Sequence, residues 1–225
     1  MKVTFKMVYR KLFFYSAPVF LITGKPDSGK TDFALWLAQK GLDWNFIDLC
    51  ASNIPSKDNR FVQLTSLRSL ERWLSLFKQK RKMFILDEAD KCMTNLDVVS
   101  RLSKQFRVPM AFQIRKFHAK LILIYHRLRD VPELYLDKNV TIAFIHKASK
   151  KIAYVKSDLL FPLIGRPNLK IKQVPRTKIS FNTYGVGNFT LENAKEMEML
   201  DLWYKTIFLR KKGYEEEQIR AILKT

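Results

Sequence analysis

Residues 24–31 read GKPDSGKT, directly after the apolar run VFLIT (19–23) and directly before DFALWLAQK (32–40). The eight residues match G-x-x-x-x-G-K-[ST] through Gly24, Gly29, Lys30 and Thr31. Glycines let successive backbone N–H groups turn inward around a phosphate, and the positive end of the following helix adds to the attraction. Lys30 would bridge the outer phosphates and the Thr31 hydroxyl would ligate Mg²⁺. A glycine-rich turn between strand and helix can match the pattern by chance, but the motif's required context, apolar strand before and helix after, is present here. The expected nucleotide contacts are Gly24, Lys25, Pro26, Asp27, Ser28, Gly29, Lys30, Thr31 and Asp32.

Such a loop needs an acidic partner at the end of another buried strand. MFILDEAD (83–90) supplies it about sixty residues downstream. Asp87 is expected to hold the Mg²⁺ with Thr31, and Glu88 to orient and deprotonate the attacking water. A carboxylate at Glu88 favours hydrolysis over nucleotide sensing, so the two segments together predict an ATPase. The letters DEAD occur without any further helicase motif.

Working outward, apolar runs and helical periodicity alternate. NFIDLC (45–50), FVQL (61–64), LILIY (121–125) and VTIAFI (140–145) read as strands, and Thr31–Lys40 and Thr65–Lys78 as helices. Thr65 or Ser66 would cap the second helix, with Glu71 just inside it. Runs apolar on both faces indicate a parallel sheet sandwiched by helices, an α/β fold. KKIAYVK (150–156) is expected to form an edge strand hairpinned to Val140–Ile145 around KAS. From Phe161 to Asn188 the pattern dissolves into Pro, Gly and Lys, which predicts an arm or surface loop; Leu191–Arg210 and Tyr214–Lys224 read as two helices parted at Gly213. The expected division is an ATPase core over residues 1–160 and a basic arm with a helical appendage over 161–225.

The 225 residues are 47% hydrophobic and 28% charged, which suits a chain with a substantial core and argues against disorder. Lys and Arg number 41 against 21 Asp and Glu, a net charge of +20 that points to polyanionic partners. The longest apolar stretch, Leu12–Thr23, is too short to span a bilayer and contains Pro18, and no secretory leader is evident before the glycine loop. Cys50 and Cys92 form no CxxC pair, so a structural zinc site is not expected. Between Val98 and Arg129 there is no acid, whereas from Lys138 to Lys178 ten Lys and Arg face the single acid Asp158. Arg101, Lys104, Arg107, Lys116, Lys150 and Lys151 are the candidate DNA contacts, giving a sequence-independent, salt-sensitive grip. A generally basic surface accounts for the same pattern equally well.

RKFHAKLILIYHRLRDVPELYLDKNVTIAFI (115–145) sets a basic residue, a gap, a buried strand, a polar residue at its end, a short helix, then Lys-Asn before the next strand. This block resembles the core of the FtsK–HerA superfamily of DNA-pumping P-loop ATPases, which includes viral genome-packaging ATPases and the Zot-like proteins. The resemblance implies a RecA/FtsK-like sheet and a sensor residue at His126, where the family usually has Gln. It also implies an arginine inserted from a neighbouring subunit, with Arg115 first and Arg127 or Arg129 in reserve. A solvated or DNA-facing arginine fits each of the three as well. The reading that follows is an ATP- and Mg²⁺-dependent motor on double-stranded DNA, a homo-oligomeric ring expected to be a hexamer. Most simply it packages a viral genome, docks on capsid proteins and works in the host cytoplasm. Its rivals are an AAA+ replication initiator or loader, with Arg210 or Arg220 in a helical lid, and a Zot-type assembly or secretion ATPase.

Overall fold

The computed structural model describes residues 4–58, 60–91, 111–181, 189–191 and 193–224. Eight strands form one sheet: β1 (Val19–Thr23), β2 (Leu49–Ser52), β3 (Phe61–Gln63), β4 (Lys82–Leu86), β5 (Ala119–Tyr125), β6 (Thr141–Ser149), β7 (Ile152–Lys156) and β8 (Asn168–Lys172). Their spatial order is β3-β2-β4-β5-β1-β6-β7-β8. β3 through β6 run parallel, and β7 and β8 are added antiparallel. β1 therefore lies between β5 and β6, with Leu21 level with Leu123 on one side and Phe144 on the other.

Burial explains the strand types. β4 and β5 are buried along their whole length, which is why their sequences are continuous apolar runs. β7 and β8 alternate between covered and exposed residues, as strands with one wet face do.

Helices α1 (Phe5–Phe14) and α2 (Lys30–Asp43) pack on one face of the sheet, and α3 (Leu67–Leu76) and α6 (Ala194–Lys211) on the other. The first layer centres on Phe20, Ile22, Phe33, Ile122 and Ile145, the second on Leu21, Leu70, Trp73, Phe84 and Leu123. Short helices α4 (Ala111–Lys116) and α5 (Phe161–Ile164), and the terminal α7 (Glu216–Lys224), complete the set. The sheet, its order and its helical layers make this a P-loop NTPase fold. Among the described residues no helix is long and apolar enough to cross a membrane.

The structure departs from the sequence expectations in several places. The apolar stretch around Pro18 splits into the end of α1 and the start of β1. α1 itself, capped by the Thr4 side chain, was not expected. It buries Tyr9, whose hydroxyl donates to the Leu37 carbonyl at 3.0 Å, and burial pushes that phenol's pKa up. Of the two expected caps of α3, Ser66 is the one used, its side chain accepting from the Ser69 N–H, while the Thr65 hydroxyl donates to Glu196 Oε1 on α6. β6 runs on through KAS to Ser149, so the turn to β7 falls at Lys150–Lys151. The expected arm after Phe161 contributes α5 and the edge strand β8, so the sheet continues beyond residue 160. β8 reads NLKIK, an alternation too polar to stand out beside Gly165 and Pro167.

Candidate nucleotide site

The carboxyl ends of β1, β4 and β5 carry the site. β1 delivers residues 24–29 as a loop with Gly24 at φ +154°, Asp27 at +58° and Gly29 at +79°. Gly29 also caps α2 in the left-handed conformation that glycine adopts without strain. Gly24 has a second reason to be glycine: a Cβ there would stand 2.4 Å from the Lys147 carbonyl oxygen and 2.9 Å from Ser28 Oγ. Lys30 folds over the loop, its ammonium donating to the carbonyls of Gly24 (2.9 Å) and Lys25 (2.8 Å). Burial lowers its pKa, while Asp87, Asp90, Asp27 and Glu88 pull it back up.

β4 brings the acids. Thr31 Oγ1 donates to Asp87 Oδ2 at 2.6 Å, so the two expected Mg²⁺ ligands meet across 56 residues of chain. Burial raises the Asp87 pKa and the Thr31 hydrogen bond opposes the rise. Asn53, at the exit of β2, clamps the Asp87 backbone from both sides. Its Oδ1 accepts from the Asp87 N–H (2.8 Å) and its Nδ2 donates to the Asp87 carbonyl (3.0 Å). Glu88 has φ +52°, a strained conformation for a side-chain-bearing residue, and its carboxylate pairs with Lys91.

No group of three or more His, Cys, Asp or Glu among the described residues is arranged to hold a metal. A hydroxyl and a carboxylate in contact are instead the small protein share that suits Mg²⁺, which takes its remaining ligands from phosphates and water.

β5 ends at His126, which borders the same cavity of about 630 Å³ as Lys30, Thr31, Asp87 and Glu88. His126 Nδ1 is 2.7 Å from Asp90 Oδ2, so Asp90 fixes the ring's orientation and leaves Nε2 for the cavity. Asp90 Oδ1 and Ser28 Oγ are buried side-chain oxygens with no hydrogen-bond partner among the described residues.

The other end of the cavity holds residues that the sequence reading did not assign to it: Arg176, Phe181 and Lys150. The segment after β8 crosses α2 as a strap. Its Thr177 N–H donates to Asp32 Oδ1 (3.1 Å) and its Lys178 N–H to Gln39 Oε1 (3.2 Å). Asp32 thus spends its carboxylate on the strap, and burial raises its pKa against that bond and the nearby Arg176. Beneath the loop lies Lys147, buried, with its ammonium donating to the Lys150 carbonyl at 3.3 Å and burial lowering its pKa.

The basic candidates separate. Lys150, a candidate DNA contact, is exposed and also borders the nucleotide cavity; Lys151 is exposed beside it. Arg127 and Arg129 are exposed just past β5 on the nucleotide side, Arg129 next to Asp130. Arg115 and Lys116 end α4 at the amino-terminal ends of the central strands β4 and β5, away from the nucleotide loop, where Arg115 lines a small pocket with Arg81, His118 and Lys120. An arginine there reaches a nucleotide only on another copy of the chain. Arg101, Lys104 and Arg107 lie outside the described residues. Arg210, considered for a lid, pairs with Glu216 Oε1 at 2.6 Å; α6 packs on α3 through Phe77, Trp203 and Tyr204, and neither Arg210 nor Arg220 lines the cavity.

This geometry coincides with a family match. The model of the ATPase family associated with various cellular activities (AAA) matches residues 20–142, from β1 into β6. The chain belongs to the AAA family. It is an ATP hydrolase.

The replication factor C large subunit of Methanocorpusculum labreanum is 39% identical over 77 residues, 34% of this chain and only 15% of that protein. The genome-packaging NTPase B204 of Sulfolobus turreted icosahedral virus 2, in complex with ATPγS, superposes with a TM-score of 0.52. It is 10% identical, and the match covers 71% of this chain and 99% of B204. The same NTPase with AMP gives 0.51 at 11% identity, over 72% and 100%. At these identities the likeness is one of fold.

Proposed function

We propose that this AAA-family ATPase couples ATP hydrolysis to movement along double-stranded DNA as a homo-oligomeric ring, in the manner of a viral genome-packaging motor of the FtsK–HerA type. The observation that carries the reading is a complete hydrolytic constellation, Lys30, Thr31, Asp87, Glu88 and His126, facing one cavity of a chain with net charge +20. Placement of the cations supports it: Arg127, Arg129 and Lys151 are exposed on the nucleotide side of the sheet. The fold shared with B204 along nearly all of that protein's length supports it further.

In this reading Lys30 and the loop N–H groups bind and orient the phosphates. Glu88, released from Lys91, takes the proton of the attacking water. His126 Nε2, aligned by Asp90, senses the terminal phosphate. Mg²⁺, held by Thr31 and Asp87, would neutralise phosphate charge. Arg115 of one copy serves the nucleotide of the next.

Long duplex DNA should raise the ATPase rate several-fold at low salt, and Lys30→Ala should abolish it; activity indifferent to duplex would overturn the proposal. The replication factor C match favours a second reading, a loader or initiator of DNA replication. Displacement of a third strand from a duplex during ATP turnover supports the motor, and its absence supports the loader.

A further inference from the structure

α3 and α6 cover the sheet face over β2–β5, but over β6–β8 the same face carries no helix among the described residues. The side chains left outward are aromatic and basic. Across the three strands His146 stands opposite Tyr154 and Tyr154 opposite Lys170; in the next row Phe144 faces Lys156, and Lys156 faces Asn168. Tyr154 is 43% exposed, and the Lys170 ammonium lies 5.4 Å from its centre. Lys156, Lys170 and Lys172 are all exposed.

This face floors a groove of about 950 Å³ whose wall is the segment after β5, with Leu128 and Leu136 exposed to it. Among the described residues lining the groove there is no carboxylate, and its inner end is formed by Gly24, Lys25 and His126. Aromatic rings that bases can stack on, set among cations that phosphates can pair with and free of acids, match an unpaired nucleic-acid strand. Duplex DNA, whose bases are already stacked, has no use for the ring. A lipid surface would need the apolar groups to protrude rather than line a groove.

We propose that the open face of β6–β8 is a binding platform for an unpaired nucleic-acid strand, with Tyr154 stacking on a base and Lys156, Lys170 and Lys172 holding the phosphates. This is a second nucleic-acid contact, separate from any duplex track, and it does not depend on the motor reading. A strand in the groove reaches Lys25 and His126, which ties its occupancy to the nucleotide site.

Fluorescence anisotropy of the full chain with a labelled deoxythymidine oligonucleotide of about ten nucleotides tests the platform. Tyr154→Ala should weaken binding about tenfold and Tyr154→Phe should restore it, because stacking needs the ring and not the hydroxyl. Lys156→Glu with Lys170→Glu should remove most of the binding and flatten its salt dependence. These side chains are exposed, so the variants should melt like the wild type and keep its basal ATPase rate. Three results would each overturn the platform: a wild type that does not hold the oligonucleotide at low salt, a Tyr154→Ala variant that binds as tightly as wild type, or substitutions that change only the sedimenting mass, which would mark the face as a contact between copies. Duplex stimulation of the ATPase, measured on the same variants, reports on the motor reading separately.

Discussion

Glu88 is held in a strained backbone conformation, a cost that a merely solvated strand end would not carry, and it pairs with Lys91. Its carboxylate must leave Lys91 to act as a base. Glu88→Gln should keep ATP binding and lower kcat by about 10²–10⁴-fold in a phosphate-release assay. Lys91→Ala, which removes the competing partner, should leave kcat equal or higher.

Lys82 and Lys120 lie elsewhere in the core. Burial drops the Lys120 pKa to about 7 although its ammonium donates to the Ala17 carbonyl at 2.7 Å, and burial drops that of Lys82 to about 8. Both bind protons more weakly folded than unfolded, so the unfolded chain carries the extra protons between the two pKa values. Stability should therefore rise as pH increases from about 7 to about 9. In thermal melts over that range the midpoint should climb, and Lys120→Met should remove much of the climb.

Among elements, the strap after β8 shapes the site most. Asp32 and Gln39 of α2 accept its backbone N–H groups, and Lys57 N–H donates to its Ser180 carbonyl, which together hold it at the nucleotide cavity. Arg176→Ala should raise the KM for ATP about tenfold with kcat little changed, the mark of lost ground-state binding, and Gln39→Ala should follow in the same direction. Steady-state kinetics on the two variants decides this.

None of the strap's role was legible in the sequence. The glycine loop, β1, β4 and the acids were, because each announces itself within eight or nine neighbouring residues. Asn53, Lys147 and Arg176 act through contacts with residues far away in the chain, and a polar residue gives no local sign of which distant backbone group it will serve. β8 was hidden for a related reason: an edge strand with one wet face lacks the apolar run that marks a central one.

At the scale of the whole molecule, the nucleotide loop follows the carboxyl end of β1 and Arg115 precedes the amino end of its neighbour β5, so in an assembly one copy would present an ATP site where another could present an arginine. Arg115→Ala and Lys30→Ala should each be inactive alone. Mixed, they should recover part of the DNA-stimulated activity, since some interfaces then pair an intact loop with an intact arginine. No recovery, with mixed assemblies confirmed by mass, would place Arg115 outside the reaction.

Gly24 has a mechanical consequence for the fold. Its missing side chain lets the β6 main chain lie flush against the phosphate loop, with the Lys147 carbonyl occupying the space a methyl group would need. No slack separates the two, and β6 is bonded edge to edge with β7 and β8. A displacement of the loop on loss of phosphate would therefore press first on β6 at Lys147, where the β6–β7 register shifts between Lys147 and Ser149, and only then on β7.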